Sequence, residues 1–205
     1  DEVNEFLPHE VEFLFYLDAE KDRMTCRPVA RYGEQTFSVL DFWAQDTRTD
    51  AFRDRLREIE AGQRAAAYFP ERGAGEESDL LVAQSDEDAA YRILDEGVSA
   101  LMELGEVHCT DRFKSRNIRR NVKIAVGVSV KSEIMDLEIS SDNLSTQDLL
   151  DILNSYRRKK KYHRLKNGDF VDITDESIAE LSSMMDTMHI SPKEFAEGKM
   201  HLPLY

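Results

Sequence analysis

The sequence predicts an α+β fold in which antiparallel hairpins and a meander pack with about five helices. Residues 122–130 alternate strictly between apolar and other side chains, which indicates a strand. A second stretch carries apolar residues at the i, i+3, i+4 and i+7 positions of one helical face: Leu149, Ile152, Leu153 and Tyr156. Further on, Asn167-Gly168 suits a tight hairpin turn of a primed type, with positive φ at Gly168. Such hairpins distinguish this pattern from that of a doubly wound parallel sheet.

The N-terminal part, residues 1–143, is predicted to be a body of antiparallel strands and two helices. A helix at 50–61 would turn Phe52, Leu56 and Ile59 inward and end at Gly62, with its arginines in solvent. Ser85 would cap a longer helix that ends at Gly105. The predicted strands of this part lie at 11–17, 24–31, 36–40, 80–83, 107–109, 122–130 and 135–140.

The C-terminal part, residues 144–205, is predicted to be a helix, a basic hairpin and a further helix, packed as one unit with the body. Ser145 and Asp148 form a capping-box pattern before the first helix. A basic strand then leads through the turn at 166–169 to a return strand at 170–173. Thr174 would cap a helix with a methionine stripe, for which core packing is favoured over an adaptable partner surface. A short helix follows Ser191-Pro192, with Ser191 and Glu194 in a capping-box pattern, and residues 201–205 have no predicted structure.

Composition excludes several classes of protein. No apolar run approaches the roughly 20 residues of a membrane helix, so no membrane association is expected. The two cysteines stand alone, 83 positions apart, which fits a reducing, cytoplasmic setting without a zinc module or disulfide framework. Residue 1 is Asp rather than Met, so we expect an excised fragment. A monomer is favoured.

No enzyme site is visible in the sequence. There is no G-x-x-x-x-G-K-[ST] loop for nucleotide phosphates, no G-x-S-x-G and no histidine pair at ligand spacing. The acidic run at 86–88 sits at a predicted helix start, where a structural role is favoured over magnesium binding. No catalytic residue, metal ligand or cofactor is therefore expected for this chain.

Positive charge is concentrated in two islands of an otherwise acidic protein, whose formal net charge is −14. The remaining residues carry −27. Such islands suit phosphate contacts, beside which Tyr162 and His163 would stack or hydrogen-bond with nucleic acid. Cations at a helix C-terminus also complement its dipole, or neutralise an acidic surface. We therefore keep three readings open, namely a structural role, nucleic-acid binding and contact with a protein or an ATPase core. The first island contains Arg157, Arg158, Lys159, Lys160, Lys161, Arg164 and Lys166, and the second contains Arg112, Lys114, Arg116, Arg119, Arg120 and Lys123.

The stretch LLDILNSYRRKKKYHRLKNGDFVDI resembles the signature of the bacterial SWI/SNF helicase-associated domain, a leucine-rich helix followed by a basic KK-YY-RL-K-G-F pattern. VEFLFYLDAEKDRMTCRPVARYGEQTF is similar to the opening hairpins of that family, and VKIAVGVSVKSEIMDLEIS to its central hairpin. HLPLY is similar to the segment from which the family continues towards its ATPase. The resemblance covers most of the chain, and its motifs are mainly structural.

The resemblance implies an accessory domain of a bacterial SWI/SNF-type DNA-dependent ATPase. We expect this domain to be non-catalytic and to position DNA or regulate the motor. ATP and Mg²⁺ are implied only for the ATPase core of the parent protein, which would be the partner of this domain. DNA would be a further partner, bound weakly. The alternative is a protein-interaction module without nucleic-acid contact, and an independent enzyme ranks third.

Overall fold

The computed structural model describes residues 10–40, 53–73, 79–131, 134–197 and 199–203. Its contacts divide the chain into two compact units, Asp1–Arg116 (unit 1) and Asn117–Tyr205 (unit 2). Helices and largely antiparallel strands occur together, which confirms the α+β class. The sequence placed its boundary after residue 143 instead, and the packing of the two parts as one unit stays a prediction.

Unit 1 is built on a sheet whose strand order is β4-β5-β2-β1-β6, with β3 also paired to β2. Strand β1 is buried on both faces at Phe13, Leu14 and Phe15, as its continuous apolar run predicts. The β1–β6 pair is parallel, and the others are antiparallel. Pro28 falls between the stretches of β2 that pair with β5 and β3, where no ladder N–H is needed. The strands are β1 (Glu12–Ala19), β2 (Arg23–Tyr32), β3 (Gln35–Ser38), β4 (Glu71–Arg72), β5 (Leu80–Ala83) and β6 (Glu106–Cys109).

The helices of unit 1 are α1 (Arg55–Ala66), α2 (Glu87–Arg92), α3 (Val98–Met102) and α4 (Asp111–Lys114). A π-helical segment, Ile93–Gly97, joins α2 to α3 without a break. The cap of α2 is Asp86 rather than the predicted Ser85, because the Asp86 carboxylate accepts the Ala89 N–H at 3.0 Å. A Cβ on Gly97 would lie 3.1 Å from the Tyr68 ring, which explains a glycine inside this helix. Helix α4 was not predicted from the sequence.

Helix α1 differs from its predicted form. Asp54 caps it, and Gly62 lies inside the helix rather than at its end. Leu56, predicted to face inward, is 81% exposed, so its position was wrong. Phe52 and the predicted first residues at 50–52 lie outside the described residues.

A buried carboxylate in α1, Glu58, takes the place expected for an apolar side chain. It is 1% exposed, and the Tyr32 hydroxyl donates to its Oε1 at 2.7 Å. The Arg53 guanidinium pairs with both carboxylate oxygens and stacks over the Phe37 ring, 4.5 Å from its centroid. Arg53 is therefore half-buried in this network, with its side chain 11% exposed, and is not on a solvated face. The network ties the start of α1 to β2, since a buried charge is stable only with such partners.

Unit 2 contains two three-stranded sheets, ordered β10-β11-β7 and β12-β9-β8. Strands β8 and β9 are antiparallel, whereas β11 and β7 are parallel. Residues 201–203, which have no structure predicted from the sequence, belong to strand β12. This strand pairs with β9 in an antiparallel register. The strands are β7 (Ile118–Arg119), β8 (Ile124–Lys131), β9 (Ile134–Ser141), β10 (Tyr162–Arg164), β11 (Phe170–Asp172) and β12 (Lys199–Pro203).

Three helices cover one apolar core in unit 2: α5 (Thr146–Arg157), α6 (Glu176–Thr187) and α7 (Pro192–Ala196). The capping boxes of α5 and α7 form as predicted. Helix α6 is capped by Asp175 rather than Thr174, because the Asp175 carboxylate accepts the Ser177 N–H. Met185 of α6 belongs to this core, and Met184 and the C-cap Met188 pack against it. These contacts favour core packing of the methionines over an adaptable partner surface.

Candidate nucleic-acid interface

The first basic island is mostly a loop and not the predicted strand. Helix α5 ends at Arg157, Arg158 is its C-cap, and β10 comprises only Tyr162–Arg164. Residues 158–161 connect the two, and we call them the basic loop. The alternation of side chains between two faces, which a strand would impose, therefore does not govern these four residues.

The conformation of the basic loop follows from the way α5 ends. The Lys159 N–H donates to the Tyr156 carbonyl at 2.8 Å, and the Lys160 N–H donates to the Ser155 carbonyl at 3.2 Å. These two bonds define a Schellman motif, with Lys159 at the left-handed position and φ of 56°. Glycine usually occupies that position because it has no Cβ. This turn ends α5, and the rest of the basic loop leads from it to β10.

All four side chains of the basic loop are exposed: Arg158, Lys159, Lys160 and Lys161. Within the part of the chain that the structure describes, none of them forms an ion pair. Their positive charge is therefore available to a ligand. The loop also follows the C-terminus of α5, where the helix dipole favours cations. That favourable field supports a structural role for the cations of the first island that lie next to the end of α5.

Two of the other three cations of the first island contact an acidic or an aromatic group. Arg157 pairs with Asp186 at 2.9 Å, and the Arg164 guanidinium lies 5.7 Å from the centroid of the Phe170 ring. These contacts separate Arg157 and Arg164 from the basic loop in chemical role. Lys166, like the loop, is exposed and forms no ion pair with a described residue.

Tyr162 and His163, which the sequence suggested for stacking or hydrogen bonding with nucleic acid, pack inside unit 2. The Tyr162 ring meets the Phe170 ring edge-on, with centroids 5.2 Å apart. The His163 Nδ1 lies 2.8 Å from the Ser155 hydroxyl oxygen. Both side chains are half-buried and hold β10 against β11 and α5.

The hairpin after the basic loop has a three-residue connection. Leu165 N–H donates to the Asp169 carbonyl at 2.8 Å, so Lys166, Asn167 and Gly168 form the connection. Gly168 has φ of 92°, which confirms the predicted positive φ at this residue. Asn167 does not have a positive φ, so the connection is a three-residue loop rather than the two-residue primed turn that Asn-Gly suits.

Asp169 is a buried carboxylate whose role the sequence analysis missed. It accepts from Arg119 Nη2 at 3.0 Å, from Asn167 Nδ2 at 3.0 Å and from the Asn117 N–H at 3.3 Å. These bonds fasten the turn to β7. The Asn-Gly-Asp sequence marks the turn, but only the fold brings Arg119 to it.

The second basic island is divided between the units. Arg112, Lys114 and Arg116 belong to unit 1, and the other three residues, Arg119, Arg120 and Lys123, belong to unit 2. Three of its arginines already pair with acids: Arg112 with Asp18, Arg119 with Asp169 and Arg120 with Asp172.

Arg116 is half-buried, whereas Lys114 and Lys123 are exposed without an ion pair to any described residue. Most arginine charge of this island therefore serves internal contacts.

Two open grooves, of about 620 and 530 Å³, flank residues 118–124 in unit 2. Arg120 and Lys123 line both of them. Acidic groups line them as well, namely Asp172, Asp175 and Glu176 in the first and Asp142 in the second. The mixed charge makes these grooves poorer phosphate sites than the basic loop.

The described residues give no support for a metal site, a nucleophilic cysteine or a membrane-spanning helix. Over the residues described, no three His, Cys, Asp or Glu side chains are grouped so that they could hold a metal ion. Cys26 is buried, and burial raises the pKa of its thiol, which makes it a poor nucleophile. None of the helices described has both the length and the apolar character needed to cross a membrane.

Comparisons with known proteins identify the family. The family model described as bacterial SNF2 helicase associated matches residues 1–205, which is the whole chain. Comparisons with curated proteins and with solved structures found no significant match. The family match confirms the resemblance read from the helix and basic motif around residues 149–173. The chain therefore belongs to the bacterial SNF2 helicase associated family.

Proposed function

We propose that this chain is a non-catalytic accessory domain of an SNF2-type DNA-dependent ATPase, and that its basic loop contacts the phosphate backbone of DNA. The observation that carries the proposal is the run of four exposed cations at 158–161, none of which pairs with an acid among the described residues. Phosphate contacts of this kind position a protein on DNA without reading its sequence. The loop would thus hold DNA for the motor rather than select a site.

The partner in this proposal is the ATPase core of the same parent protein, which supplies ATP and Mg²⁺ chemistry. The domain itself needs no cofactor and works in the cytoplasm as a monomer. By holding or releasing DNA beside the core, it would regulate the motor. A second candidate is protein contact through the same cations without DNA, which is favoured by the formal net charge of −14, since that charge repels a polyanion.

The test uses two variants of the full chain with equal charge. The first replaces Lys159, Lys160 and Lys161 by Ala, and the second replaces three exposed lysines elsewhere: Lys21, Lys131 and Lys193. Binding to labelled duplex and single-stranded DNA is measured by fluorescence anisotropy. The parent chain should bind with a Kd of about 10⁻⁴–10⁻⁶ M, the range of non-specific binders.

The basic-loop variant should bind DNA about tenfold more weakly or worse, and the control variant should stay within about twofold of the parent. Circular dichroism melting confirms that both variants are folded. Equal loss in the two variants would show a general charge effect and contradict the role of the loop. If the parent does not bind DNA, protein contact becomes the better reading.

A further inference from the structure

Strand β8 is the edge of the β12-β9-β8 sheet. It pairs along its full length with β9, from Ile124 opposite Ser141 to Lys131 opposite Ile134. No other strand of the described residues pairs with its second edge. Residues 125–131 are exposed without interruption. Every second N–H and C=O along that edge is therefore open to another strand.

A line of apolar side chains extends along this edge strand. Val126, Val128 and Val130 are 41%, 59% and 56% exposed. Their register partners in β9 are three apolar residues, Ile139, Leu137 and Met135, so the two sets lie on the same face of the sheet. Leu137 and Ile139 are buried at 1% and 4%. The apolar face therefore continues one strand beyond the part that the helices of unit 2 cover.

The charge around β8 restricts what can cover it. Lys123 and Lys131 are exposed, and neither forms an ion pair with a described residue. The neighbouring strand β9 carries two acids, Asp136 and Glu138, so the free positive charge lies at the two ends of β8. Lys123 immediately precedes β8 and Lys131 ends it, so the two lysines bracket the valines, and Lys131 lies on the opposite face of the strand from them. A second copy aligned over the whole strand by a two-fold axis at Gly127 would place Lys123 directly opposite Lys131. Like charges in that position are destabilising, so a segment with acidic ends fits better than a second copy.

We propose that β8 accepts an extended segment of a partner protein as a fourth strand. The segment has apolar residues at alternate positions, which cover the three valines, and an acidic residue near each end, which meets Lys123 and Lys131. Main-chain hydrogen bonds would supply much of the affinity and the side chains the selectivity. This proposal stands independently of DNA contact by the basic loop.

The probe is the labelled peptide EVTVTVTVE, which in an antiparallel register places its glutamates opposite Lys131 and Lys123. Two control peptides change one property each. KVTVTVTVK reverses the end charges, and EVTVPVTVE removes a central N–H and disfavours a strand. Anisotropy of the full chain with each peptide measures binding, and amide hydrogen exchange at 124–131 reports whether the edge becomes protected.

The glutamate peptide should bind saturably and slow exchange along β8, and each control peptide should bind roughly tenfold more weakly or worse. In the chain, Val126→Ser with Val128→Ser should abolish binding without lowering the melting temperature, since both side chains are already exposed. Lys123→Glu with Lys131→Glu should reverse the preference towards the lysine peptide. Lys21→Glu with Lys193→Glu, an equal charge change elsewhere, should leave the preference as it is.

Three results would overturn the proposal: absence of binding at about 1 mM peptide, equal binding of the two end charges, or binding without protection of β8. Sedimentation over a range of concentrations tests the competing occupant. A dimer that Val128→Ser dissociates would assign the edge to a second copy of this chain instead.

Discussion

Lys159 shows how a single residue links the end of a helix to a candidate function. It holds the left-handed position of a Schellman motif, as His189 does after α6. The two motifs differ at the next residue, because Ile190 is buried whereas Lys160 is exposed. A hydrophobic contact commonly accompanies this motif. The end of α5 thus presents cations where other helices place glycine and an apolar residue, which agrees with a role outside the fold.

Replacing Lys159 by glycine should stabilise the chain by about 0.5–1 kcal/mol. Glycine removes the steric cost of a Cβ at positive φ, and the greater freedom of glycine in the unfolded chain offsets part of that gain. Urea unfolding measures the change. Lys160→Gly is the control, because it removes the same charge at a residue whose φ is not positive. This control variant should not stabilise the chain. A loss of stability in Lys159→Gly would contradict the argument that the Cβ of Lys159 carries a steric cost at positive φ.

At the scale of the element, α5 owes its start to local hydrogen bonds and its position to packing. Ser145 Oγ accepts the Asp148 N–H at 3.1 Å, while the Asp148 carboxylate accepts the Ser145 N–H at 3.0 Å. Leu149, Ile152 and Leu153 are each 1% exposed in the core of unit 2. The basic loop is therefore held at its helical end by a capped and well-packed helix.

Ser145→Ala should destabilise the chain by about 1 kcal/mol at neutral pH and by less in acid. The Ser145 hydroxyl is the main cause that lowers the pKa of Asp148 in the folded chain. A lowered pKa gives stability that is present above the unfolded value of about 3.9 and is lost as the pH falls through the folded value. Part of the cap remains in acid, because Ser145 still accepts the Asp148 N–H.

Urea titrations at pH 7 and at about pH 3 measure this difference. Thr146→Ala, at the adjacent first position of α5, is the control and should show little change in either condition. A cost of Ser145→Ala that stays constant or grows towards pH 3 would contradict the pKa argument.

At the scale of the whole molecule, the acidic surface limits DNA affinity and makes it depend on salt. The formal net charge is −14, while the basic loop offers four cations to phosphates. Contacts with three to four phosphates predict a slope of log K against log salt of about −2.7 to −3.6. Anisotropy titrations at several salt concentrations give this slope. The basic-loop variant should have a flatter slope, and an unchanged slope would place the contacts elsewhere.

Local features of the fold could be read from the sequence because neighbouring residues determine them. The capping boxes at Ser145 and Ser191 and the positive φ of Gly168 each depend on a few consecutive positions. The apolar face of α5 follows from helical periodicity, and the burial of β1 on both faces follows from its continuous apolar run. The charge islands and the family resemblance were likewise visible in the sequence alone, as the family match confirms.

Contacts between distant parts of the chain were decided only by the tertiary structure. Strand β12 exists because β9, more than 50 positions earlier, offers it an edge. Glu58 is buried and Leu56 exposed because Tyr32 and Arg53 satisfy the carboxylate. Arg119 and Arg157 are bound by acids at 169 and 186, whereas residues 158–161 pair with no acid in the described part of the chain. A side chain's identity fixes its charge, but which charges remain available depends on the partners that folding brings within reach.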